Sequence, residues 1–195
     1  MKDTDIQKAV HKINLRDQKS DFAYWQSQPL ARASPRWKRS AGNTMVGDTV
    51  LNQDFRKFIQ SLNDNGVRYL VIGGYAVAFH GHPRYTKDMA VWIAMDAENA
   101  ANMVKALEQF GFASLGLQAA NFLTPDQIVQ LGYPPNRIDV ITTAAGVEFE
   151  TCFTARVQSD VNGVLVNFID LESLKRNKSA VGRHQDLADV ENLKE

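Results

Sequence analysis

The run Val71-Ile72-Gly73-Gly74-Tyr75-Ala76-Val77-Ala78-Phe79-His80-Gly81-His82-Pro83-Arg84-Tyr85-Thr86-Lys87-Asp88-Met89-Ala90-Val91-Trp92-Ile93 decides how this chain is read. Its apolar start, continuing from Val67, predicts a short buried strand over 67–72. Gly73 and Gly74 carry no Cβ, which permits a tight turn and a close backbone approach, and Tyr75–His80 reads as a brief helix. Pro83 lacks an N–H and clashes with the preceding turn, so that helix cannot run on into Arg84. Met89–Ile93 is apolar again and reads as a second strand, with Asp88 at its mouth. A later apolar run, Arg137-Ile138-Asp139-Val140-Ile141, carries another isolated acid. An acid inside an apolar strand is disfavoured unless something uses its charge. Asp88 and Asp139 are therefore the first candidate functional residues.

Outward from this stretch, the pattern alternates helices and strands. Asp48 suits the cap of a helix in which Val50, Leu51, Phe55, Phe58, Ile59 and Leu62 share a face, with Asn65-Gly66 as its end. Asp96 suits the cap of a second helix over 97–110, with Val104, Leu107 and Phe110 turned inward and Gly111 as its stop. Ile128–Leu131 and Arg137–Ile141 read as adjacent strands around a turn at 132–136. Gln158–Phe168 reads as a hairpin, because Asn162-Gly163 suits a type I′ turn. Asp170 caps a helix over Leu171–Ala180, Gly182 breaks it, and Asp186–Lys194 forms a last short helix. The expected fold is α/β of the α+β kind: a short mixed sheet flanked by helices, with a small helical C-terminal cap. Three regions follow, namely a basic N-terminal arm (1–45), a core (46–169) and a C-terminal helical segment that completes the site (170–195).

Bulk properties exclude several classes. With 44% apolar and 23% charged residues among 195, the chain has the composition of a soluble globular protein. No apolar run approaches the roughly 18 residues that span a bilayer, and Met1–Asp5 offers no signal core, so a cytoplasmic location is expected. Cys152 is the only cysteine, which rules out an internal disulfide and any multi-cysteine zinc site. The net charge of zero hides an asymmetry. Residues 1–45 hold nine Lys/Arg against four Asp, a balance of +5, and 46–195 hold 13 basic against 18 acidic residues, a balance of −5. Such an arm either reaches nucleic acid, folds back on its own acidic body, or stays solvated.

The order strand, Gly-Gly, helix, Arg84-x-Thr86-x-Asp88, strand, then a later apolar-Asp139-apolar, resembles the nucleotidyltransferase fold shared with DNA polymerase β. Thirteen residues separate Gly74 from Asp88, a spacing compatible with that superfamily. Members carry Asp-x-Asp on the second strand, and residues i and i+2 of a strand share a face. Together with the later acid, the pair would hold two Mg²⁺ ions alongside a nucleotide's phosphates. The metal positions implied here are 88, 90 and 139, and position 90 is alanine. By the same resemblance, backbone N–H groups of Gly73 and Gly74 would face the phosphates, with Arg84 and Thr86 near the nucleotide. His80 and His82 read as surface loop residues, not metal ligands.

A second constellation lies in Asn177-Lys178-Ser179-Ala180-Val181-Gly182-Arg183-His184-Gln185-Asp186-Leu187-Ala188-Asp189. It is similar to the Lys and Asp motifs of the AbiEii/MenT-type toxin nucleotidyltransferases. The likeness implies that Lys178 contacts triphosphate, that Asp186 contributes to catalysis and that Arg183 adds a phosphate contact. A solvated helix pair with Lys178–Asp186 ion pairs is the plainer alternative. The resemblance covers roughly 46–195. It implies Mg-dependent transfer of NMP from an NTP to an RNA hydroxyl, a tRNA 3′ end foremost, within a toxin–antitoxin pair. Protein modification (AMPylation) and a catalytically silent nucleotide- or partner-binding module are the alternatives. Ala90 reads either as an engineered replacement of aspartate that inactivates an otherwise intact enzyme or as the mark of a natural pseudoenzyme. Because Asp88, Asp139, Lys178 and Arg183 all persist, the first of these is preferred.

Overall fold

A computed structural model describes residues 53–86, 88–132 and 137–193, together with the backbone of Arg16–Asp17. The rest of the basic arm, the Asp48 cap with Val50 and Leu51, the tip of the turn at 133–136 and the last two residues lie outside the described residues. Helix α1 (Gln53–Asp64) leads into β2 (Tyr69–Ile72), and α2 (Gly73–Phe79) follows without a break. Next come β3 (Asp88–Ile93), α3 (Ala97–Leu107), β4 (Gln127–Leu131) and β5 (Arg137–Ile141). Then follow α4 (Phe149–Thr154), the hairpin β6 (Val157–Val161) and β7 (Val164–Phe168), α5 (Leu171–Val181) and α6 (His184–Asn192).

These strands form one mixed sheet in the order β1-β4-β5-β3-β2-β7-β6, where β1 is Arg16–Asp17. The β3/β5 and β2/β7 pairs are parallel and the remaining neighbours antiparallel. Alternation of side chains divides the sheet into two unlike faces. Tyr69, Val71, Met89, Val91 and Ile93 share one face, and all are fully buried. Helix α1 covers this face with Phe55, Phe58, Ile59 and Leu62, the stripe expected from its apolar spacing. The Tyr69 hydroxyl crosses to it and donates to Asn63 Oδ1 at 3.0 Å. On the other face Trp92 meets the Phe149 ring edge-on at 5.1 Å and donates to the Thr142 carbonyl. Helices therefore flank both faces, and the second is polar at the end where Asp88 and Asp139 lie.

Local signals place several elements where the sequence suggests. Asp96 Oδ1 accepts from the Asn99 N–H at 2.8 Å, and Asp170 Oδ1 accepts from the Ser173 N–H at 3.0 Å, so both are N-caps. Asn162 and Gly163 adopt φ of 55° and 83°, the two left-handed residues that a type I′ hairpin turn needs. Three features differ from the sequence expectation, the first being strand β1 (Arg16–Asp17) within the basic arm, which pairs with β4. Helix α3 ends at Leu107, and the chain runs on through a wider turn at Glu108–Phe112 whose Gly111 has φ 106°. Helix α4 has no counterpart in the pattern, because six residues are too few to show a helical period. It is held in place by buried Cys152 and by Phe149 and Phe153, against which the Arg68 guanidinium packs. No helix among the described residues is long and apolar enough to cross a membrane.

Candidate active site

The parallel pairing of β3 with β5 sets Asp88 beside Arg137 and Ala90 beside Asp139. Side chains 88, 90, 137 and 139 therefore share one face. Ala90 is also the partner of Ile72, the last residue of β2, so it lies under the junction where α2 begins. A Cβ built on Gly73, whose φ is +67°, would stand 3.4 Å from the Ala90 Cβ. A Cβ on Gly74 would come within 2.8 Å of both Cβ and Oγ1 of Thr86. That glycine is thus required by the approach of the Arg84–Thr86 loop, whose Thr86 hydroxyl donates to Asp88 Oδ1 at 3.1 Å. Three sequence candidates, Gly73, Gly74 and Thr86, are brought against the acid-bearing end of β3.

The two acids do not stand alone. The Arg137 guanidinium lies between them, donating through Nη2 to Asp88 Oδ2 and to Asp139 Oδ2, the latter at 2.9 Å. Its Nε is 2.8 Å from Asp139 Oδ1. The sequence reading assigned Arg137 no role. The signal was its spacing, two residues before Asp139 on the same strand and hence on the same face. Burial pushes the Asp139 carboxyl up to about 6, with Arg137 pulling it down and the Asp88 charge adding to the rise. Tyr75, in the first turn of α2, is pushed up to about 12, first by burial and then by the Asp88 charge.

A second cluster joins the loop before β3 to the C-terminal helices. Arg84 makes a bidentate pair with Asp189, Nε to Oδ1 at 2.8 Å and Nη2 to Oδ2 at 2.9 Å. Lys178 Nζ lies 2.6 Å from Asp186 Oδ1 and 2.8 Å from Asp189 Oδ2. Arg183 Nε donates to Asp186 Oδ2 at 2.5 Å. Lys178 is 3% exposed and both aspartates 1%, whereas the Arg183 side chain is about half exposed. Burial alone would raise both aspartates, but donors outweigh it: Arg183 and Lys178 hold Asp186 below its ordinary value, and Arg84 and Lys178 do the same for Asp189. Arg84, Lys178, Arg183 and Asp186 are therefore one connected group. Asp189, the end of the same run but without an assigned role in the sequence pattern, is its hub, three residues beyond Asp186 and so on a neighbouring helical position.

A two-ion magnesium centre needs oxygen donors that this face does not supply. Ala90 contributes none, and both carboxylates already accept from Arg137. Among the described residues no three His, Cys, Asp or Glu side chains converge as a metal site, and His80 Nε2 bonds the Ile169 carbonyl at 2.8 Å. As the chain stands, the residues present do not fit the pair of ions that the resemblance implies.

No protein-family model matches the chain, and no curated protein matches it. Among solved structures it is similar to an antigenic nucleotidyltransferase-like protein from Paracoccidioides brasiliensis, at 18% identity over 71% of this chain and 73% of that one, with a TM-score of 0.45. A lincomycin-bound lincosamide antibiotic adenylyltransferase is similar at 15% identity over 74% and 97%, with a TM-score of 0.47. The antibiotic-resistance factor ANT(2'')-Ia is similar at 11% identity over 72% and 80%, with a TM-score of 0.48.

Proposed function

We propose that this chain is a nucleotidyltransferase of the toxin type, built to move NMP from an NTP onto an RNA hydroxyl and disabled in that step by Ala90. The observation that carries the reading is the β3/β5 register. It sets position 90 directly beside Asp139 and on the face of Asp88, so an aspartate there would complete three converging carboxylates. The tRNA 3′ end as acceptor, the antitoxin as partner and Mg²⁺ with NTP as reactants belong to this proposal.

Roles follow from the contacts. Asp88 and Asp139 are the surviving acids, with Thr86 fixing Asp88. Gly73 and Gly74 let the start of α2 lie close above them. Arg183, half exposed, presents a guanidinium edge to a phosphate. Lys178 and Asp186 are buried against one another and act by orienting Arg183, and through Asp189 also Arg84.

One observation favours a second reading, a nucleotide-binding module without transfer: both acids accept from an internal arginine. The two are separated by incubating the chain and its Ala90→Asp variant with each α-labelled NTP, a Mg²⁺ titration and an extract containing tRNA and protein. Label moved to RNA by the Ala90→Asp variant alone supports the toxin-type reading, and label in protein redirects the acceptor to a partner. A folded Ala90→Asp variant that transfers nothing at any Mg²⁺ concentration, while still binding NTP, leaves the binding module.

A further inference from the structure

We infer that the Arg137 guanidinium is the resident cation of the Asp88–Asp139 pair and competes with divalent metal ions for it. Two carboxylates on one face of neighbouring strands repel each other unless a positive charge lies between them. The β3/β5 register supplies that charge by placing Arg137 beside Asp88 and two residues from Asp139. Nη2 of the guanidinium bridges both acids by hydrogen bonds, and Nε approaches Asp139 Oδ1 to 2.8 Å as an ion pair. The pairing is sheltered, since the side chains of Arg137 and Asp139 are each 13% exposed and that of Asp88 27%. Arginine keeps its charge at any ordinary pH.

A divalent ion approaching this pair meets Oδ2 of both carboxylates already accepting from the guanidinium and a net site charge of about −1 in place of −2. A hard cation such as Mg²⁺ or Mn²⁺ binds through those same oxygens, so the guanidinium's charge and its hydrogen bonds oppose it there. The chain thus carries two separate obstacles to metal binding, a missing donor at position 90 and an occupying cation at 137. The second concerns the same face as the proposed transferase site but stands whether or not the chain transfers nucleotides.

The test uses Mn²⁺ as probe, its binding followed by electron paramagnetic resonance and calorimetry, without nucleotide. The full chain, Arg137→Gln, Arg137→Lys, Ala90→Asp and the double variant Ala90→Asp/Arg137→Gln are compared. Removing the guanidinium should tighten Mn²⁺ binding at least tenfold in both backgrounds, and the gain should vanish when Asp139→Asn is added. Arg137→Lys keeps a charge but loses the fork, and should fall several-fold tighter than the parent. If Arg137→Gln does not fold, that lysine variant decides. Equal Mn²⁺ affinity with and without the guanidinium overturns the inference, as does a gain that survives Asp139→Asn. Neither result depends on nucleotide transfer, so failure here is distinguishable from failure of the transferase reading.

Discussion

Replacing Lys178 by methionine separates a phosphate ligand from a structural ion network. The amine lies 2.6 Å from Asp186 and 2.8 Å from Asp189, both almost fully buried. Removing one partner of a buried pair costs about 3–5 kcal/mol, because the charge left behind is uncompensated. Here Arg183 and Arg84 still hold one aspartate each, which places the loss near the lower end, about 3 kcal/mol. A chain of this size loses about 2–4 °C of Tm per kcal/mol, so Lys178→Met should melt about 6–12 °C below the parent. The assay is thermal unfolding followed by circular dichroism in nucleotide-free buffer at neutral pH. A lysine held only for a phosphate would behave otherwise, since its removal would relieve a desolvated charge and leave Tm unchanged or raised. An unchanged or higher Tm therefore refutes the network account.

Three further outcomes are expected. Gly74→Ala places a methyl 2.8 Å from Thr86 and should destabilise by about 1–3 kcal/mol through overpacking; adding Thr86→Gly should recover most of that in urea titrations. Asp186 and Asp189 have folded pKa values below the ordinary 3.8, so their stabilisation is present above that pH and lost as pH falls through the lower folded values. The urea midpoint should accordingly drop steeply only below about pH 4, and Lys178→Met should blunt that drop. Asp170→Ala removes the oxygen that accepts from Ser173 at the start of α5 and should cost about 1 kcal/mol, read as a small fall in Tm.

Much of the fold was legible because its signals are local. Asp96 and Asp170 cap the helices they precede, and Asn162-Gly163 makes the turn it suits. The glycine pair sits between a strand and a helix for reasons contained in a few neighbouring residues. Helix α4 escaped because its six residues hold only one full turn and a half, and its position rests on Arg68 and buried Cys152. The boundaries of α2 and β3 moved by a residue or two, as helix and strand ends do.

The amino-acid sequence by itself determined most of the elements, α4 and β1 excepted, and the two acids on apolar strands with alanine at position 90. What those residues touch was decided by tertiary structure. Arg137 meets Asp88 across 49 residues, and Arg84 meets Asp189 across 105. Periodicity and capping act over one or two turns of chain, whereas strand register and helix docking are set by burying the whole core at once. That is why Asp88 and Asp139 could be named from their pattern and position 90 from the resemblance, while the reach of Arg137 to Asp88 and the hub at Asp189 emerged only when the sheet and the C-terminal helices came together.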